Sequence, residues 1–518
     1  MPVLTPPPHA FNFAAYLFQL NAARADKTAY IDDHGTLTYG ALEDESRRFG
    51  AALLNAGIHP EERVLLAMPD RREWPVAYLG ALYAGVVPVC VNTLLPAEDY
   101  AFMLGHSRAR AIITAPELQP VLRAAAKQAA ATPLFVVADA ADGPATPFAA
   151  FIDTEPLPAP AATCADDIAF WLYSSGSTGQ PKGVVHTHAN PYWTIQTYGR
   201  NVLKLEASDV VFSAAKAFFA YGLGNAVSFP LAAGATTVLM AGRPTPQAVY
   251  ERLTRHHVTV FYGVPTLFAS MLAVADLPPR GTLALRRCTS AGEPLSKSLG
   301  ERFTAHFGVE ILDGIGSTEM LHIFLCNRSG DVHYGTTGTP VPGYEISLRD
   351  EHGAAVAPGE IGDLYIKGES TALMYWADRA RSRNTFIGPW LKAGDKYQVD
   401  ENGYYRYCGR SDDMLKVSGQ YVSPAEVEAC LIAHPDVLEA AVIGVKNTNG
   451  LLKTKAFVVL KDHARGSDQL AATLHEYVKG QLAPHKAPKH IEFLAELPKT
   501  ATGKIQRFRL REREAAKA

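Results

Sequence analysis

The chain has 518 residues, 47% apolar and 19% charged, which is enough for several hydrophobic cores and excludes a disordered, fibrous or disulfide-held miniature protein. Lys and Arg number 49 against 52 Asp and Glu, so a formal net charge of −3 leaves no global basic field for nucleic acid or an anionic membrane. Six scattered cysteines without C-x-x-C spacing argue against a structural zinc site or disulfide framework and point to reduced thiols in a cytoplasmic protein.

The N-terminus, Met1-Pro-Val-Leu-Thr-Pro-Pro-Pro, lacks the basic patch and apolar run of a signal peptide. Trp74 to Ala97 carries no charge, yet Pro75, Gly80, Gly85, Pro88 and Pro96 interrupt it. A missing amide donor is costly in lipid, so this stretch predicts a buried helix from Pro75 and an apolar strand around Val86 to Val91 instead of a membrane span. The Ala-rich segment from Leu122 to Ala165 reads as a variable connection without chemistry.

Next comes an apolar run, Ile168-Ala-Phe-Trp-Leu-Tyr173, leading directly into Tyr173-Ser-Ser-Gly-Ser-Thr-Gly-Gln-Pro-Lys-Gly183. Small residues let backbone approach a ligand, and consecutive amides in a tight loop form an anion-binding nest. Gly176 and Gly179 keep the loop bare, Ser174, Ser175, Ser177 and Thr178 add hydroxyl donors, and Lys182 adds a point charge. A flexible linker would not follow straight on an apolar strand. Nor is this a P-loop, because Pro181-Lys182-Gly183 stands where Gly-Lys-Ser/Thr is required.

Further on, helical patterns alternate with β-branched runs: Pro246 to His257 before Val258 to Tyr262, and Lys297 to Phe307 before Val309 to Leu312. That order predicts an α/β fold with helices on mostly parallel sheets. Between about Gly335 and Tyr407, short apolar runs such as Glu345 to Leu348 and Gly362 to Lys367 predict a smaller β-rich, barrel-like subdomain. After Gly409-Arg-Ser-Asp-Asp413, a helix from Pro424 to Ala433, strands from Leu438 to Val445 and Ala456 to Leu460, and a helix from Ser467 to Leu482 fit one small α+β domain. The basic excess after Pro484 reads as a solvated face, or as a local anion site.

The loop at 173–183 resembles the phosphate loop of the adenylate-forming superfamily, which includes acyl- and aryl-CoA synthetases, peptide-synthetase adenylation domains and firefly luciferase. Other motifs of that superfamily follow in order across nearly the whole chain. Ser290-Ala-Gly-Glu-Pro-Leu295 and Asp313-Gly-Ile-Gly-Ser-Thr-Glu319 look like its adenine and α-phosphate segments, which implicates Gly292, Glu293, Pro294, Asp313, Gly314 and Ile315 in nucleotide binding. Many relatives have an adenine-stacking aromatic where this chain has Ile315, so aliphatic packing is expected there. Gly394-Asp395 resembles the ribose segment, and Gly409 to Gly419 the hinge and its following loop. Pro498-Lys-Thr-Ala-Thr-Gly-Lys504 resembles the loop of the catalytic lysine.

The resemblance implies ATP, Mg2+ and coenzyme A, with a carboxylate attacking the α-phosphorus before a thiol takes the acyl group. Two mutually repelling anions must meet, so positive charge belongs between them. Lys504 matches the lysine that supplies it, Thr318 the α-phosphate donor and Glu319 the magnesium ligand. Asp395 suits bidentate acceptance of the ribose hydroxyls, with Arg410 reaching ribose or phosphates. The implied division is a large N-terminal domain over 1–411, containing the β-rich part at about 335–407, and a mobile domain over 413–518 turning about Asp412. Turning would remove Lys504 and bring Lys416, Ser418 and Gly419 to the pantetheine tunnel.

Acid selection is expected in Lys216 to Gly224 and Met320 to Phe324, with Ala220, Tyr221, Gly222, His322 and Ile323 lining the pocket; both stretches resemble the benzoate–CoA ligase branch. A small aromatic carboxylate is the expected substrate, with no nucleic acid or membrane partner. A lysine acetylase and deacetylase acting on Lys504 are expected by resemblance alone. Alternatives are a free-standing enzyme loading a carrier-protein thiol, and a non-catalytic nucleotide-binding relative.

Overall fold

The computed structural model describes residues 4–139, 143–174, 180–411, 414–417, 420–446, 452–461, 466–499 and 505–515. The uncharged stretch folds as helix Glu73–Tyr83 and strand Val87–Cys90, buried throughout the strand. That strand lies inside an eight-stranded sheet, between Arg63–Ala67 and Ile168–Ser174 and parallel to both. Helices cover both faces, which is why its strands read as unbroken apolar runs. No helix among the described residues is long and apolar enough to cross a membrane. All six cysteines are free thiols.

The segment read as a connection is instead structural. Helix Gln119–Gln128, strand Leu134–Val137 and the short strand Thr146–Pro147 extend the sheet to its edge. Phe148 then stacks on Phe49 with ring centroids 5.4 Å apart. Its alanines misled because they look featureless, yet Ala125 and Ala126 are buried where a larger side chain would hold the helix away from its neighbours.

A second, nine-stranded sheet runs parallel from Thr28–Asp32 through Thr236–Val238, Val210–Ser213, Val260–Gly263 and Arg287–Ser290 to Ile311–Gly316, with antiparallel strands at both ends. Helix Lys297–Phe307 has the expected bounds, capped by the Ser296 hydroxyl and stopped by Gly308 at φ +75°. The strand after it starts later than expected, at Ile311, because the chain must still turn back onto the sheet.

Residues 345–410 form an antiparallel sheet in which Trp390–Val399 pairs with Ile361–Lys367, Phe386–Ile387 and Tyr405–Arg410. The expected barrel-like subdomain is a half-barrel sheet, with Glu345–Arg349 paired along its length to Ile361–Lys367. Beyond it, a ribbon of Leu415–Val417 and Gln420–Val422, a three-stranded sheet and helices Pro424–Ile432 and Asp468–Gln481 surround a core of Val427, Leu431, Val442, Val458, Leu474 and Val478. In its basic C-terminal part, Lys486 lies on Glu426 at 2.7 Å and Arg507 on the buried Glu428 at 2.6 Å.

Candidate active site

The glycine-rich motif is a hairpin connection. Strand Ile168–Ser174 runs antiparallel to Lys182–Thr187, with Ser174 paired to Lys182 at its mouth. Ser175, Gly176, Ser177, Thr178 and Gly179 lie outside the described residues. The buried Ser174 hydroxyl has no partner among those described, so a donor is held ready at the hairpin mouth.

Lys182 brings the hairpin to Glu319. Its Nζ stands 3.7 Å from Glu319 Oε1 and 4.8 Å from the centre of the Tyr375 ring, whose hydroxyl donates to the same carboxylate at 2.7 Å. Burial holds the Lys182 ammonium below its ordinary range, with Glu319 opposing that shift and Arg381 and Arg410 adding to it. The neighbouring Thr318 carbonyl accepts from His186 Nε2 at 2.9 Å. His186 is itself fixed by stacking on Phe170, beside Asn190, whose amide donates to the Glu369 and Thr371 carbonyls. Burial lowers the imidazole to about 4, so it is neutral near pH 7.

Gly292, Glu293 and Pro294 connect strand Arg287–Ser290 to the following helix, Gly292 at φ +92° and Glu293 accepting from the Thr266 hydroxyl at 3.0 Å. Asp313 pairs in register with Ser290 on the adjoining strand. Burial drives its carboxyl well above the carboxylate range, and one oxygen has no partner among the described residues. A Cβ on Gly314 would come 2.9 Å from Cys326, so only a bare backbone fits beside Ile315. In the third sheet Asp395 is buried and accepts from Arg410 Nη1 at 3.2 Å, a contact preset by their cross-strand pairing.

His322 lies between Tyr198, Tyr221 and Phe229, with ring centroids 5.0, 5.5 and 4.6 Å away. Its Nε2 donates to the Tyr221 carbonyl at 3.2 Å, leaving buried Nδ1 as an acceptor without a partner among the described residues. Burial lowers this imidazole to about 3. The Tyr221 and Thr289 hydroxyls share a hydrogen bond of 2.6 Å. Ala220 is half-buried and Gly222 buried, while Ile323 is a core residue packed on Gly314. This wall is aromatic and neutral.

Lys504, Asp412, Ser418 and Gly419 lie outside the described residues, and of Lys416 only the ribbon backbone is described. An antiparallel bridge between Lys499 and Ile505 closes the base of the lysine loop. Four residues with direct contacts to the site went unread in the sequence: His186, Thr289, Tyr198 and Tyr375. His186 follows the phosphate motif almost at once and was within reach of motif reading. Tyr375 was not, since only pairing of strand Met374–Tyr375 with Lys182–Thr187 brings it to Glu319.

Residues 17–376 match the AMP-binding enzyme model, and residues 426–504 match the AMP-binding enzyme C-terminal domain. The chain belongs to the AMP-binding enzyme family. This AMP-binding enzyme is 53% identical over 515 residues to a benzoate–CoA ligase of Thauera aromatica, spanning 98% of each chain. A solved benzoate CoA ligase from Burkholderia xenovorans LB400 is 60% identical, with 97% of this chain and 100% of that one covered at a TM-score of 0.91. A solved anthranilate CoA ligase in complex with anthranoyl-AMP is 40% identical, covering 99% of each chain at a TM-score of 0.94. The adenylate-forming resemblance drawn from the motifs therefore holds for the chain as a whole.

Proposed function

We propose that the protein is an AMP-forming ligase converting benzoate, or a close aromatic acid, to its CoA thioester. The observation that carries this reading is the neutral, ring-lined wall around His322 on the same short segment as Glu319, beside the phosphate hairpin. Tyr221, tethered to Thr289, limits depth, so a planar ring fits better than a long acyl chain. The relatives named above support the aryl acid.

In the first half-reaction a substrate carboxylate oxygen bonds to the α-phosphorus while the bond to the bridging oxygen breaks and pyrophosphate leaves. Lys504 draws the two anions together, Thr318 donates to the α-phosphate, and residues 174–179 with Lys182 hold the outer phosphates. Asp395 and Arg410 hold the ribose; the segments at Gly292–Pro294 and Asp313–Ile315 hold adenine. Among the described residues no three His, Cys, Asp or Glu side chains gather as a metal cage, and Glu319 is a single carboxylate. That donor set fits Mg2+, which usually takes one or two carboxylates plus substrate phosphates and would neutralise phosphate charge here. In the second half-reaction the CoA sulfur bonds to the acyl carbon, AMP leaves and the thiol proton is released. Rotation of residues 413–518 about Asp412 exchanges Lys504 for the Lys416–Ser418–Gly419 segment. Acetylation of Lys504 would remove its charge and block the first half, and intact-protein mass spectrometry of native material finding no modified lysine under any growth condition would count against such control. Free thiols support a cytosolic setting.

Benzoate-dependent exchange of labelled pyrophosphate into ATP tests the first half, and CoA-dependent AMP release the second. Turnover across hydroxy-, amino- and fluorobenzoates and short fatty acids fixes the acid. Exchange without CoA-dependent release would favour carrier loading, and no exchange with any acid would defeat the reading.

A further inference from the structure

Asp70 follows the strand Arg63–Ala67 of the first sheet and is 2% exposed, an unusual place for a carboxylate. Its Oδ1 accepts from the Ala217 amide at 3.0 Å, a contact joining parts of the chain 147 residues apart. The loop carrying Asp70 is itself held on both sides. Arg71 bonds Glu73 at 2.7 Å and Asp139 at 2.8 Å, and the Arg72 amide donates to Asp32 at 3.0 Å. Asp70 is thus a fixed point placed against a loop of the second sheet.

That loop begins the acid-selecting segment. Lys216 points its ammonium at the carbonyls of Met240, Ala241 and Gly242, with the Gly242 contact at 2.8 Å. The Lys216 carbonyl accepts from the Phe219 amide at 3.0 Å, and a Cβ on Gly222 would fall 2.0 Å from the same carbonyl. The turn from 216 to 222 is therefore folded onto its own root, and Tyr221 cannot move independently of Lys216 and Ala217. Asp70 also supplies negative charge toward the largely buried Lys216 ammonium, and Lys216 in turn offsets what burial does to the Asp70 carboxyl.

We infer that Asp70 is a positioning residue for acid selection: by holding the Ala217 amide it sets where the Tyr221 ring stands over the acyl pocket, without touching the substrate. The inference rests on the aryl-acid reading, so the acid preferred by the wild-type enzyme is established first and used throughout. A preference for another acid would revise that reading while leaving this test intact.

Steady-state KM for the acid and for ATP, with kcat, is measured for wild type, D70A and D70N. Loss of one buried hydrogen bond acting through the pocket predicts about a tenfold rise in acid KM for D70A, with ATP KM within about twofold. D70N keeps an acceptor oxygen of the same shape and is expected within about threefold of wild type. If D70A does not fold, D70E, which displaces the carboxylate by a methylene, is expected to show the same split. An unchanged acid KM in D70A (or in D70E, where D70A does not fold), or acid and ATP KM rising together, would overturn the inference. D70N as impaired as D70A would likewise defeat the amide-holding role.

Discussion

Glu319 and His322 share one short segment, yet their surroundings are opposite in kind. Around His322 stand rings and a backbone carbonyl, and the imidazole is buried and neutral. Around Glu319 stand an ammonium and a phenol hydroxyl, supplied by the hairpin and by the strand Met374–Tyr375 paired to it. The acyl side is fixed by packing before any ligand arrives, because close-packed rings have few alternative arrangements. Around Glu319 the charges neutralise one another, and under the proposed function a triphosphate would compete for them. Under the proposed function, selectivity is built into a rigid wall, while the reaction depends on charges that can be exchanged.

Four substitutions or conditions would break or sharpen that contrast. Largest is Lys504→Ala, expected to lower benzoate-dependent pyrophosphate exchange by about 10²–10³-fold while thioester formation from supplied benzoyl-adenylate stays within about threefold. Equal loss in both halves would place the lysine outside the exchangeable set. Gly224→Ala attacks the wall: its Cβ would sit 2.4 Å from the His322 ring and 2.7 Å from Phe229. We expect about 1–3 kcal/mol of lost stability in denaturant titration and roughly a tenfold higher benzoate KM, with ATP KM little changed. Tyr375→Phe removes the 2.7 Å hydrogen bond to Glu319 and should slow adenylation about fivefold, sparing the second half-reaction.

The smallest effect on catalysis is expected from mild acid, which acts on stability instead. His186 and His188 are lowered by burial to about 4, and His322 to about 3, from an ordinary value of 6.5. The unfolded chain binds more protons between those limits, so stability is fully present above about pH 6.5. Each histidine should cost up to about 1.4 kcal/mol per pH unit as pH falls through the window. Melting temperatures measured from pH 7 to 5 check this, and a flat profile would show that the imidazoles are hydrated.

Much of this protein was legible without coordinates. The phosphate motif, its order relative to 290–295, 313–319, 394–395 and 498–504, and the alternation of helix and strand follow from local composition and chain order. Helix Lys297–Phe307 could be bounded to the residue because a serine cap and a stop glycine act within one turn. The sheet edge built by 119–147 could not be read, since edge pairing depends on partners far along the chain. Tyr375 at Glu319 and Asp70 at Ala217 were equally hidden: each contact joins segments whose sequences carry no record of their separation in space. Local patterns determined which chemistry the chain can support; the stacking of two sheets decided which side chains stand close enough to perform it, because hydrogen bonds and ion pairs act over a few ångströms whatever the distance along the backbone.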